Sequence, residues 1–231
     1  MHRLVSLVPS VTETLTAWGR EPIACTRFCE RDDLLHVGGT KNPDIEAIAA
    51  LQPDLVVVDV EENRREDAEA LVAAGLRVHV LRIRSLGDVD EQMSGLAGAV
   101  DVAPPRPVSR TAGPPMVRAV VPIWRRPWMT IGPDTYGGSL LAVLGIRIVP
   151  EDLGDYPSLD DEQLVALGAD VVLVPDEPYA FQERHRAELE AFGPVVFVDG
   201  KDLFWWGART AGALGRLEAR LSHVLGAPEA V

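Results

Sequence analysis

The sequence predicts an α/β protein of two lobes, each a parallel sheet with helices packed on it, joined by a single inter-lobe helix. Short apolar runs alternate with stretches of helical spacing, so each half reads β-α-β-α-β-α-β. The stretch DIEAIAALQPDLVVVDVEE (44–62) also aligns without gaps on DDEQLVALGADVVLVPDEP (160–178), an offset of 116 residues. Between the halves lies one connection, 86–115, which sets lobes at 1–85 and 116–231. Leu86, Val89, Met93, Leu96, Ala97 and Val100 recur there at steps of three and four, and Ser85 with Asp88 fits a capping box. Pro104, Pro105, Pro107, Pro114 and Pro115 stop that helix, which spans roughly 24 Å if it runs to about residue 101. The segment is expected to act as a stiff strut, half helix and half polyproline-like.

In order, Leu4–Val8 is a buried strand, and Ser10 with Glu13 forms a capping box for a helix that stops at Gly19. Ile23–Thr26 is the next strand. After the polar loop RFCERDDLLHVGGTK, Asn42-Pro43 opens a helix through Leu51, with proline at its first position. Leu55–Val58 is apolar throughout, as a strand covered on both faces should be. A helix from about Arg65 to Ala74 stops at Gly75, and a strand follows at Arg77–Leu81. In the repeat, Asp44 meets Asp160, Leu51 meets Leu167, Asp54 meets Asp170, and Leu4 and Val5 fall on Val120 and Val121. Gly19 instead meets Gly145, an offset of 126, so the first loop of the second copy is ten residues longer. A last helix, about 208–225, places Ala211, Leu214, Leu217, Leu221 and Val224 on one face.

Composition excludes several functions. A net charge of −13 and a pI near 4.8 argue against a nucleic-acid partner, because phosphate binding needs a basic face. No apolar run reaches the ~20 residues of a membrane span, so no membrane insertion is expected. MHRLVSLVPSVTETL reads as a strand and a helix, not a signal peptide. That predicts a cytoplasmic protein as written, and an extracytoplasmic one if an export signal has been trimmed. No G-x-G-x-x-G, P-loop, G-x-S-x-G or H-E-x-x-H pattern occurs, so no catalytic residue is assigned and no enzyme is expected. Cys25, Cys29 and His36 are the only candidates for a soft metal site; the plainer reading makes Cys25 a strand residue and Cys29 a loop thiol.

Two such lobes leave a cleft outside the carboxyl ends of their strands, where ligands of parallel sheets bind. The ten extra residues lie in PIWRRPWMTIGPDTYGG (122–138), a loop that sets Trp124, Arg125, Arg126, Trp128 and Tyr136 after a strand. Arg27 and Phe28 follow the second strand, Tyr179 and Phe181 follow DVVLVPDEP, and Trp205 and Trp206 follow VVFVDGKD. Flat apolar rings with arginines beside them suit a large conjugated ligand bearing anionic groups. Glu61 with Glu62, and Asp176 with Glu177, stand at equivalent strand ends, either facing each other across the cleft or solvated at its rim.

LVSLVPSVTETLTAWG, TRFCE, GGTKNPDIEAIAALQPDLVVV and EENRREDAEALVAAGLRVHVL resemble the first lobe of class III periplasmic binding proteins, the helical-backbone metal receptors. IGPDTYGGSLLAVLGIRIV, PSLDDEQLVALGADVVLV and DLFWWGART resemble the second lobe. These receptors serve cobalamin, haem and ferric-siderophore ABC transporters, and the resemblance is nearest to the cobalamin-binding branch. It implies two Rossmann-like lobes and no intrinsic cofactor. The ligand would be a metal chelate, cobalamin-like or an iron chelate, held against aromatic side chains. Phe28 would be a first-lobe contact, Trp205 and Trp206 second-lobe contacts, and Trp124 and Trp128 part of a capping loop. An ABC permease is the implied partner, docked through Glu66 and Glu183. The alternative is a cytoplasmic corrinoid- or tetrapyrrole-handling enzyme or factor no longer coupled to a transporter.

Overall fold

The structure is a computed structural model that describes residues 3–226. The chain forms two compact units, the first running to Val108 and including Trp206–Arg209, the second comprising Ser109–Trp205 and the chain from Thr210. No helix among the described residues is long and apolar enough to cross a membrane.

The first unit contains β1 (Leu4–Ser6), α1 (Pro9–Ala17), β2 (Ala24–Cys25), β3 (Leu35–His36), β4 (Gly38–Gly39), β5 (Asn42–Pro43), α2 (Ile45–Ala50), β6 (Leu55–Asp59), α3 (Arg65–Ala73), β7 (Val78–Leu81) and α4 (Leu86–Ala99). Five strands form a parallel sheet in the order β3-β2-β1-β6-β7, and β4 pairs with β5 as a two-residue hairpin. Every residue of β1 and β6 is buried, as apolar runs covered on both faces require.

Two helix starts differ from the sequence expectation. Helix α1 begins at Pro9 with no side-chain cap, Ser10 lies buried inside it, and Glu13 turns instead to Arg209 (Nη2 to Oε1, 2.8 Å). Proline fixes φ and has no N–H to satisfy, so it opens the helix where the serine was expected to. Asn42-Pro43 is strand, and α2 is capped by Asp44, whose Oδ1 accepts from the Ala47 N–H at 2.9 Å. Gly19 and Gly75 end their helices at φ of 68° and 81°, as expected.

Helix α4 keeps its expected start: Asp88 Oδ2 accepts from the Ser85 N–H (2.8 Å) and Oγ–H (2.9 Å). Leu86, Val89, Met93, Leu96 and Ala97 are all buried, so the helix is part of the first unit. Arg20 caps its far end, donating to the Val100 and Asp101 carbonyls at 2.9 and 2.6 Å. The proline-rich residues after it have no regular secondary structure, and the chain passes into the second unit within them. It re-enters the first unit at Trp206–Arg209, where the Ala208 N–H donates to Thr14 Oγ1 at 3.0 Å.

The second unit contains β8 (Val117–Val120), β9 (Pro122–Trp124), β10 (Trp128–Thr130), α5 (Tyr136–Val143), β11 (Ile146–Ile148), β12 (Ser158–Leu159), α6 (Asp161–Ala166), β13 (Val171–Pro175), a 3-10 turn (Glu183–His185), α7 (Arg186–Leu189), β14 (Val195–Val198), α8 (Gly200–Phe204) and α9 (Thr210–Leu221). Its parallel sheet runs β11-β8-β13-β14, the order of β2-β1-β6-β7. The added residues at 122–138, expected as a loop, instead build an antiparallel sheet β12-β10-β9. In α9, Ala213, Leu214, Leu217 and Leu221 face inward, whereas Ala211 is exposed.

The duplication survives in the hydrogen bonds. Arg3 N donates to Asp54 Oδ2 (2.7 Å) and its Nη2 to the Leu51 carbonyl (2.7 Å). In the second unit Arg118 N donates to Asp170 Oδ2 (2.8 Å) and its Nη2 to the Leu167 carbonyl (2.8 Å). Asp54 and Asp170 keep the offset of 116 read from the sequence, but Arg3 and Arg118 are 115 apart. The register agrees: Leu4 pairs with Leu55, and Ala119, not Val120, pairs with Val171. Adjacent valines at 120 and 121 had hidden that one-residue slip.

Candidate functional site

In the first unit the chain leaves β2 at Cys25 and turns back within four residues. The Cys29 N–H closes this turn on the Thr26 carbonyl at 3.1 Å. Its tip presents Phe28, 50% exposed, with the Arg27 guanidinium 4.8 Å from the ring centroid. Both side chains rest on Gly39: a Cβ there would stand 3.0 Å from Phe28 Cε2 and 3.2 Å from Arg27 Nη2. Gly39 thus supplies a floor for the exposed cation–aromatic pair of this turn. Sequence reasoning missed Gly39 because its role depends on a neighbour eleven residues earlier.

Behind the turn lies a buried polar cluster. Thr12 Oγ1 is 2.8 Å from Ser6 Oγ and 3.2 Å from Cys29 Sγ, and Thr26 Oγ1 is also 3.2 Å from that sulfur. The bond from Cys25, then those from Thr12 and Thr26, hold the Cys29 thiol below its ordinary range against burial. Cys25 is pushed up, first by its bond to Cys29 and then by burial. His36 is exposed and its Nε2 meets the Arg31 carbonyl at 3.1 Å. Among the described residues no group of three His, Cys, Asp or Glu side chains is placed to hold an ion, so the three suggested ligands are not brought together.

At the end of β6, Asp59 is 1% exposed. Its Oδ1 accepts from the Glu61 and Glu62 N–H groups (2.9 and 3.3 Å), and its own N–H donates to Asn63 Oδ1 (2.9 Å). Oδ2 is buried with no hydrogen-bond partner. Burial outweighs the N–H bonds and pushes the carboxyl up to about 6. Glu61 pairs at 3.6 Å with Arg84, and Lys41 Nζ donates to the Glu61 carbonyl at 2.6 Å. Glu66 stands exposed in the first turn of α3.

In the second unit the antiparallel sheet sorts its tryptophans by strand alternation. Trp124, 45% exposed, lies edge-on to Tyr179 with centroids 5.5 Å apart. Tyr179 is half-buried and leans on Phe181 at 4.6 Å. Trp128 points inward: its indole N–H donates to Asp161 Oδ1 at 2.6 Å, and its ring stacks on Phe181 and meets Phe192 edge-on. Trp128 and Phe181 therefore belong to the core, because strand pairing at 128–130 turns one face inward where a loop would have left it open. Tyr136 is likewise buried, its hydroxyl 3.2 Å from Thr210 Oγ1.

Arg125 does not offer a bare cation. Its Nε reaches Glu188 Oε1 at 3.1 Å and its Nη2 reaches Oε2 at 2.6 Å, a two-point pairing that neutralises it. Trp205 is half-buried with Lys201 Nζ 5.1 Å from its ring centroid, while Trp206 is buried. Glu183 is held by Arg186. His185 is buried against Phe181 and Tyr179, and its Nδ1 accepts from the Gln182 N–H at 2.9 Å. Burial, first, and then the neighbouring Arg184 and Arg125 push its pKa down.

Comparison with known proteins agrees with this architecture. The sequence model of the periplasmic binding protein family matches residues 4–103. No curated protein matches the sequence. Among solved structures, the periplasmic vitamin B12 binding protein BtuF of Vibrio cholerae superposes with a TM-score of 0.78 at 18% identity, covering 97% of this chain and 98% of its own. The periplasmic heme-binding protein BhuT, solved with two hemes, gives 0.80 at 24% identity over 97% and 99%. A periplasmic heme binding protein from Pseudomonas aeruginosa gives 0.77 at 21% over 94% and 91%. Residues 4–103 thus resemble the periplasmic binding protein family, and over nearly the whole chain the fold is the one those vitamin B12- and heme-binding structures share.

Proposed function

We propose that this chain is a non-catalytic solute-binding protein for a metal chelate, a corrinoid or an iron chelate such as haem or a ferric siderophore. One observation carries the reading. Each unit exposes an aromatic surface at the carboxyl ends of its parallel strands, Phe28 with Arg27 in the first and Trp124 with Tyr179 in the second. A conjugated macrocycle is large and flat, and rings exposed on short turns suit stacking on it. Solved proteins of the same fold that are named for binding vitamin B12 and heme support the choice of ligand class. Delivery to an ABC permease, with Glu66 and Glu183 as docking residues, belongs to the same proposal.

Titrating the protein with aquocobalamin, haemin and a ferric siderophore, followed by difference absorbance and co-elution, tests it. Saturable binding of one of the three is expected. Trp124→Ala should weaken that binding roughly 5- to 10-fold, the value of an aromatic contact worth ~1–1.5 kcal/mol. No spectral change with any of the three at tens of micromolar overturns the proposal.

A further inference from the structure

The paired thiols are not used by the function proposed above. Cys25 ends β2 and is fully buried; Cys29 is 5% exposed and is folded back over the strand end by the 26–29 turn. Each thiol is the leading influence on the other's acidity, so the two side chains act on each other across the 26–29 turn. Two hydroxyls converge on the Cys29 sulfur, those of Thr12 and Thr26, each at 3.2 Å. The Phe28 N–H donates to Thr26 Oγ1 at 3.3 Å, and the Thr26 hydroxyl keeps both a proton and a lone pair for exchange with the Cys29 thiol. The Thr12 proton is shared with Ser6 Oγ and the Val8 carbonyl, and a hydroxyl at this distance can donate to the sulfur once it is the thiolate, the form that attacks disulfides.

We propose that Cys25 and Cys29 are a redox site that closes to an intramolecular disulfide on exchange with a small-molecule disulfide of the glutathione type. The Cys29 thiolate attacks one sulfur of the oxidant, forming a mixed disulfide and releasing one thiolate. Cys25 then gives its proton to solvent, attacks the Cys29 sulfur and releases the second thiolate. Two protein thiols are oxidised and one disulfide is reduced to two thiols. Arg27 and Phe28 lie inside the resulting ring, so the bridge fixes the turn that presents them. The closed loop is short, so its effect is local geometry more than global stability. An oxidising compartment would hold the bridge and a reducing one the dithiol. The proposal is independent of which ligand binds.

Trypsin supplies a direct readout, because it cuts after Arg27, between the two cysteines. The reduced full-length chain is equilibrated with oxidised glutathione, acid-quenched, alkylated and digested. A bridge leaves EPIACTR (21–27) joined to FCER (28–31) as one species two hydrogens lighter than their sum. The joined species is expected to dominate, both alkyl labels disappearing together, and to be absent from Cys25→Ser and Cys29→Ser. Before oxidation, brief alkylation should label Cys29 ahead of Cys25, and Thr12→Val should slow that labelling several-fold while the circular dichroism spectrum is kept. Separate labelled peptides after equilibration with excess oxidant overturn the proposal. So does glutathione retained on Cys29 with Cys25 still alkylated, or a linkage found only between two chains.

Discussion

Asp59 receives two backbone N–H groups on one oxygen and none on the other, and its carboxyl sits near pH 6 instead of about 4. Its folded-state pKa is therefore raised, and the native chain holds more protons than the unfolded one between those values. The sign follows: its contribution to stability is full below about pH 4, falls as pH rises through the window, and is gone above about 6. Asp59→Asn keeps the accepting oxygen and removes the charge. We expect the variant to melt a few degrees higher than the parent at pH 7.5, for a gain of about 1–2 kcal/mol, and to differ little at pH 4. Equal destabilisation at both pH values would show that the second oxygen has a partner in solution. A second residue-scale prediction concerns Gly207, at φ 103°, where a Cβ would collide with Thr14 Oγ1. Gly207→Ala should cost about 1–3 kcal/mol in denaturant unfolding. The aromatic-Gly-x-Arg pattern was legible in the sequence. Its physical cause was not, because Glu13 and Thr14 lie almost two hundred residues away.

Among elements, what the sequence showed depended on how local the determinant was. Strands β1, β6 and β13 were legible because burial on both faces demands an unbroken apolar run, although β1 stops at Ser6, two residues short of the expected Val8. The cap of α4 was legible because Ser85 and Asp88 carry the whole signal. The start of α2 was misplaced because Asn42-Pro43 and Asp44 are both credible openings, and only the pairing of Gly38 with Pro43 decides between them. The antiparallel sheet at 122–138 was invisible because its third strand, Ser158–Leu159, is distant in the chain. That sheet separates Trp124 from Trp128; with Tyr136, Phe181 and Trp206 also buried, half of the expected aromatic set is core. Two element-scale predictions follow from these placements. Asp44→Ala and Asp160→Ala each remove an N-terminal cap of the same geometry, and each should lower unfolding free energy by about 1 kcal/mol. Gly39→Ala should displace Phe28 and Arg27 from their floor; chelate affinity measured by titration should drop while the melting temperature moves little.

For the whole molecule, the division into units does not follow one cut in the chain. A fragment ending at residue 115 contains every strand of the first sheet but lacks Trp206–Arg209. It leaves Glu13 without the Arg209 fork and Thr14 without the Ala208 N–H. We expect such a fragment to melt well below the full chain by circular dichroism; a matching midpoint would make the returning segment dispensable to stability.

The paired Arg–Asp clips have a consequence for how this scaffold can change. Arg3 precedes β1 and Arg118 is the second residue of β8, so both clips fasten the amino ends of the sheets, where each arginine also takes the carbonyl of the leucine that closes α2 or α6. The exposed aromatics occupy the opposite, carboxyl ends. In each unit, the machinery that repeats and the surface that diverges therefore sit at opposite poles of one sheet. A new recognition loop can be grafted at one pole while the foundation at the other is left untouched, which makes each half a reusable pedestal for ligands the present chain does not bind.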